Sequence, residues 1–237
     1  MRHAFPMLGL VALLAGGGLQ AQDEEQGLGG SVEIGATATS GNTEATSLNA
    51  QLEGRYRSEP WRHRLRLLAL RATEDGATTA ERYAGRYKAD YALSERDYLF
   101  AALRGEKDEF SGYGYQLSES LGYGRQIWDT DRAVLELEIG GGLRQSKLED
   151  GGTDTEAILR GAANYAQTLR EGVKVSEELV VEAGRDNTEV ESISGLKVKL
   201  IGDLATKLSL TVLHDTDPPA DTESTDIISA LTLVYDF

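Results

Sequence analysis

From Ser31 to Phe237 the chain alternates apolar and polar residues in about twelve stretches of roughly ten residues, the length a tilted strand needs to cross a bilayer. Val32, Ile34, Ala36 and Ala38 alternate with Glu33, Gly35, Thr37 and Thr39, and Ser40-Gly41-Asn42-Thr43 then turns the chain. Leu48, Ala50, Leu52, Gly54 and Tyr56 alternate with Asn49, Gln51, Glu53, Arg55 and Arg57. Trp61, His63, Leu65, Leu67 and Ala69 follow against Arg62, Arg64 and Arg66, and Tyr83, Gly85, Tyr87, Ala89, Tyr91 and Leu93 against Arg82, Arg86, Lys88 and Asp90. A period of two puts each set on its own face of a strand. Strands of soluble sandwiches are usually shorter, with a mode near five or six residues.

Eight further strands are predicted over 98–105, 113–127, 133–146, 156–169, 173–185, 189–200, 204–214 and 225–237. An even count leaves both chain ends at one rim and lets the last strand pair with the first, which removes the edges. The connections sort into a short class (58–60, 94–97, 128–132, 170–172, 201–203) and a longer class (73–79, 106–112, 147–155, 215–224). That asymmetry is expected of short periplasmic turns against longer external loops. The predicted fold is all-β: a single antiparallel up-and-down transmembrane β-barrel of about 12 strands over 31–237. Glu119 and Glu177 fall on the lipid-facing phase, which predicts either a β-bulge that shifts the phase or a position near an interface; the register around Glu191–Gly195 stays open.

The chain ends on Phe237, with Tyr235, Leu233, Leu231 and Ile227 behind it on one face. This ending resembles the carboxy-terminal signature by which Gram-negative outer-membrane barrels are handed to their assembly machinery, and marks Tyr235 and Phe237 as an assembly signal. At the other end, Met7 to Leu19 is an apolar run after Arg2 and His3, with Ala21 ahead of Gln22. This reads as a signal peptide over 1–21, followed by a short periplasmic segment over 22–30. With no cysteine, the signal is not of the lipoprotein type and no disulfide forms in the periplasm. A formal net charge of -15 argues against a phosphate-tracking nucleic-acid surface, which needs an excess of Lys and Arg.

The block from Ser40 to Ala50 (SGNTEATSLNA), the Arg/Tyr-rich hairpin after it and the ending Tyr235-Asp236-Phe237 resemble the YdiY-like salt-induced outer-membrane proteins. The resemblance covers roughly Gly29 to Phe237. It implies a cell outer-membrane β-barrel of undetermined activity, responsive to salt or osmotic conditions, and supplies no catalytic residues, cofactor or metal ligands.

Ser or Asp chemistry of the kind barrel phospholipases, proteases and acyl-transferring enzymes use would recruit a histidine as base. His63 and His214 are predicted at opposite rims of a roughly 25 Å apolar band, too far apart for one site, so no catalytic residue is assigned. Asp215, Asp217, Asp221 and Glu223 crowd one loop and Glu149, Asp150, Asp154 and Glu156 another; such carboxylates suit calcium or magnesium, but neither loop has EF-hand spacing and solvation accounts for both. The inward phase is more unusual. Arg55, Arg57, Arg62, Arg64, Arg66, Arg82, Arg86 and Lys88 form a basic wall, with Glu33, Glu53, Asp90, Glu136, Glu138, Glu178 and Glu182 available to face it. Two arrangements follow: a transverse field that orients small ions in a narrow lumen, or Arg and Glu interlocked as a plug. Tyr56, Trp61, Tyr98, Trp128, Tyr235 and Phe237 are predicted to form an aromatic girdle.

The functional expectation is a structural or narrow-channel barrel that meets outer-membrane lipids and lipopolysaccharide, small ions and, during biogenesis, the assembly machinery. The rivals are an envelope enzyme acting on lipid and a soluble periplasmic β-barrel binding an apolar ligand. In the last, the apolar phase would point inward.

Overall fold

The structure, a computed structural model, describes residues 27–39, 45–109, 111–148, 151–219 and 222–237. The signal peptide, the Ser40–Thr43 turn, Glu149, Asp150 and Asp221 lie outside them. The strands are β1 (Gly27–Thr39), β2 (Ala45–Ser58), β3 (Trp61–Glu74), β4 (Ala77–Ala92), β5 (Asp97–Asp108), β6 (Tyr113–Asp129), β7 (Ala133–Leu148), β8 (Thr153–Arg170), β9 (Val173–Ala183), β10 (Thr188–Ile201), β11 (Leu204–Asp215) and β12 (Thr225–Asp236). Each pairs antiparallel with its sequence neighbour, and β1 pairs with β12 to close the barrel. We call the rim where β1 begins and β12 ends the near rim, and the opposite one the far rim.

The seam is the narrowest ladder, with Ser31 to Ile34 set against Asp236 to Leu233. Phe237 extends it: its N–H donates to the Gly30 carbonyl at 2.9 Å and its carbonyl accepts from the Gly30 N–H at 2.8 Å. A Cβ on Gly30 would sit 2.7 Å from the Phe237 ring, so glycine there lets the terminal aromatic lie on the seam.

The distribution of side chains is the reverse of a soluble protein. Leu121 (69% exposed), Leu231 (68%) and Ile139 (60%) face outward, while Glu138, Asp90, Arg144 and Glu182 are buried inside. This excludes the soluble barrel with an apolar interior, because the aliphatic surface left in contact with solvent would be uncompensated in water. Toward the far rim the lumen turns less charged on one side, where Leu68 and Leu70 of β3 hold inward positions, in register with Gln51 and Asn49 of β2.

Several elements differ from the sequence-based expectation. β1 starts at Gly27 rather than Ser31, since Gly27 to Gly30 register against Arg57 to Gly54 of β2. Of the longer class of loops, 73–79 is mostly strand. β3 and β4 are joined by Asp75-Gly76 alone, both at positive φ (48° and 80°), as a tight hairpin turn requires. The connection of nine residues, 216–224, keeps the expected length. Its Pro219 lies where a Cβ on Gly112, in the β5–β6 connection, would come within 2.7 Å, so this loop reaches across the far mouth.

Bulges do occur in β6, at Tyr113/Tyr115 and Gln126/Trp128, but on either side of Glu119. Glu119 therefore stays outward and exposed, between Leu103 and Leu143. No bulge shifts Glu177 either; its carboxylate accepts hydrogen bonds from the Ser192 and Ser194 hydroxyls on β10, at 2.6 and 2.5 Å. Local hydroxyl donors, not a phase shift, offset that charge. The first β6 bulge turns Tyr113 inward instead, where its hydroxyl donates to Asp215 at 3.4 Å from the opposite side of the far mouth.

Tyr98 leaves the girdle. It is 5% exposed and, with Phe100 at 3%, lies inside the barrel. The wall beneath is bare: Cβ atoms on Gly124 and Gly122 would come within 2.3 Å of Tyr98 and 2.6 Å of Phe100. Replacing Gly124 with valine is expected to push the Tyr98 ring off the wall and destabilise the barrel by about 1–3 kcal/mol, the usual range for overpacking, as read by thermal unfolding in detergent. The outward aromatics that remain near this rim form a patch around His63. Its ring stacks with Tyr56, Trp61 and Tyr87 at centroid distances of 6.2, 5.9 and 6.0 Å, and its Nδ1 shares a 2.8 Å hydrogen bond with the Tyr87 hydroxyl. Trp128 is exposed at the end of β6 rather than within a turn.

Candidate functional site

The lumen is the only place where the described chain concentrates buried charge, and the strand register explains how. Inward positions on adjacent strands face one another at ladder spacing, so Arg62 meets Asp90, Arg64 meets Lys88, and Arg66 meets Arg86 across β3 and β4. Two of those three contacts set like charges side by side, which is unfavourable unless acids arrive from elsewhere. They do. Arg62 Nη1 lies 2.7 Å from Glu136 and its Nε 2.9 Å from Asp90. Arg64 bridges the same two acids, at 2.9 Å to Asp90 and 3.3 Å to Glu136. Arg66 bonds Glu53 on the neighbouring strand at 2.9 Å and Glu178 across the lumen at 2.7 Å. Arg86 reaches Glu178 at 3.3 Å and also pairs with Glu191.

The basic face of β3–β5 and the acids of β7, β9 and β10 are thus in direct contact. They interlock across the interior instead of facing one another through open water. Glu138 is the hub of the near half: its side chain is fully buried, and it pairs with Lys88, accepts from Arg160 at 2.8 Å and accepts from the Tyr98 hydroxyl at 2.9 Å. Tyr98 adds its ring face, with Arg62 and Lys88 each 5.0 Å from the centroid, a favourable arrangement for a cation. In the far half, Arg82 and Arg104 share Glu106, and Arg104 and Arg144 share Glu189.

Of the residues predicted to form the basic wall, Arg62, Arg64, Arg66, Arg82, Arg86 and Lys88 join this lattice. Arg57 registers against Arg62 at the near rim. Arg55 lines the lumen without a hydrogen bond or ion pair among the described residues. Of the predicted acids, Glu33 pairs with Lys207 at 2.9 Å. The Glu182 carboxylate accepts from the Ser118 hydroxyl at 3.2 Å, and its other oxygen has no partner among the described residues.

Arg104, Arg144, Arg160, Glu106, Glu189 and Glu191 belong to the lattice and were absent from the sequence-based set. A signal for some of them existed. Steps of two carry the inward phase from Glu136 and Glu138 through Gly140 and Gly142 to Arg144. Glu156 and Asp215, expected as solvated loop acids, are engaged instead: Glu156 pairs with Arg144 and accepts from the Arg185 N–H at 2.9 Å, and Asp215 accepts from Tyr113. His63 and His214 stand near opposite rims, the latter bonded to the Thr225 hydroxyl at 2.8 Å.

The lattice does not fill the barrel. A cavity of about 150 Å³ remains among Glu53, Arg55, Arg64, Arg66, Arg104, Glu138, Glu178 and Glu191. A barrel of this strand number has an interior between the filled eight-stranded and open sixteen-stranded classes.

Residues 32–237 match the family described as "Protein of unknown function, DUF481". The chain belongs to that family. It is 27% identical over 207 residues to the uncharacterized protein YdiY of Escherichia coli (strain K12), covering 87% of this chain and 82% of that one. Among solved structures, the barrel is similar to an outer-membrane channel from Pseudomonas putida F1, with TM-score 0.52, 12% identity and coverage of 92% and 98%. It is also similar to the NanC porin, with TM-score 0.52, 9% identity and coverage of 87% and 98%. At these identities the likeness is one of fold: a barrel of the outer-membrane type.

Proposed function

We propose that this protein is exported by its amino-terminal signal peptide and inserted in the outer membrane, near rim toward the periplasm, where it acts as a narrow conduit for small ions. The observation that carries the reading is the lumen, whose charges are ordered into a lattice around a cavity of about 150 Å³ while the exterior is aliphatic. Low-identity likeness to a porin and a channel supports the same reading. The outward girdle and aliphatic band suit lipid and lipopolysaccharide as surroundings, and the paired terminus suits delivery by the barrel-assembly machinery. No reacting group is assigned: the histidines stand apart, and the lattice acids serve as counter-ions.

A link to salt or osmotic conditions has a physical route here. Mobile ions that enter the lumen compete with the paired side chains, since attraction between partly solvated charges is screened over about 8–10 Å at physiological ionic strength. More salt would loosen the lattice and widen the path.

Single-channel recording in planar bilayers tests this. Arg64→Glu combined with Arg66→Glu is expected to shift the reversal potential toward cations in a salt gradient, because two cations of the cavity wall become anions. Conductance with unchanged selectivity would refute a lumen path lined by these residues. Absence of current from the native protein at every salt concentration would leave the lattice as a plug.

A further inference from the structure

Among the described residues, the lumen cations that lack a carboxylate partner lie toward the near mouth. Lys174, Lys197 and Lys207 stand directly opposite one another on β9, β10 and β11, all on the inward phase. Like charges in register on adjacent strands repel. Two of the three have answers: Lys197 pairs with Asp236 at 2.6 Å and Lys207 with Glu33 at 2.9 Å. Lys174 has no hydrogen bond or ion pair among the described residues. Neither does Arg55, which enters from β2 and is in register with a further cation, Arg64.

Arg55, Lys197 and Asp236 all lie within electrostatic reach of Lys174. The two cations without a partner among the described residues, Arg55 and Lys174, thus both stand toward the near-rim ends of their strands, while Arg62, Arg64, Arg66, Arg82, Arg86, Lys88 and Arg104 are each matched by carboxylates. A cluster of this kind is unfavourable until an anion joins it, and a guanidinium with ammonium groups is the donor set that oxyanions accept from.

We propose that Arg55, Lys174 and Lys197 form a binding site for a small oxyanion, a phosphate or a carboxylate, that enters the lumen from the near rim. Binding does not depend on conduction, because the site opens to solvent on its own side of the lattice.

The test is isothermal titration of the detergent-folded protein with inorganic phosphate and, separately, with citrate, against sodium chloride at matched ionic strength. Saturable binding of one or both is expected, with none for chloride; phosphate alone or citrate alone identifies the preferred group. Lys174→Gln is expected to weaken binding about tenfold, and Arg55→Gln with Lys174→Gln about a hundredfold, as loss of one and two charge-assisted bonds implies. Neither side chain has a partner to strand, so the variants should fold, as heat-modifiable migration will show. Arg71→Gln, on the outer surface toward the far rim, is the charge-matched control and should bind as the native protein does. Equal heats for phosphate, citrate and chloride, or native affinity in Lys174→Gln, would overturn the proposal.

Discussion

Replacing Glu138 with alanine should lower the unfolding free energy by about 3–5 kcal/mol, the range for removing one partner of a buried ion pair. The substitution leaves Lys88, Arg160 and the Tyr98 hydroxyl without their shared acceptor, inside a lumen where Lys88 retains only Asp90, at 3.1 Å. Most of the loss comes from the charges left behind, not from the pair itself. A companion variant makes that distinction: Glu138→Leu with Lys88→Met and Arg160→Met removes the hub together with its cations, and should recover much of the stability. Urea titration in detergent, followed by heat-modifiable migration, reads both. A loss below about 1 kcal/mol for the alanine variant would place the hub in the range of exposed ion pairs and count against a buried lattice.

Deleting Phe237 should reduce the assembled barrel at least about tenfold while leaving synthesis unchanged. The deletion removes the reciprocal hydrogen bonds with Gly30, at 2.8 and 2.9 Å, from the narrowest ladder of the barrel. At about 0.5–1.5 kcal/mol each, those bonds are worth about 2 kcal/mol, or roughly thirtyfold in the closing equilibrium. Phe237→Leu keeps the backbone bonds and loses the aromatic ring. If seam closure sets the yield, this variant assembles almost normally; if the assembly machinery reads the ring, it fails as the deletion does. Full assembly of the deleted chain would dispose of both accounts.

The exterior was legible residue by residue because it is set locally. Each outward Leu, Ile or Tyr is two positions from the next, so counting along one strand assigns it. The same count found the inward Arg62, Arg64 and Arg66. It lost its way where one residue changes the phase: the bulge at Tyr113/Tyr115 sends Tyr113 inward, and nothing in the neighbouring residues marks it. Tyr98 failed for another reason. Aromatics beside a turn suit a girdle, and only the glycines of β6 and β7, some two dozen or more positions later, show that the inner wall is bare enough to hold a ring.

The sequence by itself determined strand number, the outward face and the closing of the last strand on the first, since a period of two and the even count leave one arrangement free of edges. Tertiary structure alone decided the partners inside. Arg64 meets Glu136 from 72 positions away and Arg66 meets Glu178 from 112. Those distances are crossed by the closure and stagger of the barrel, not by any local pattern. With several inward acids available, the curvature that brings opposite walls together selects which of them each arginine can touch, and leaves Arg55 and Lys174 beyond their reach.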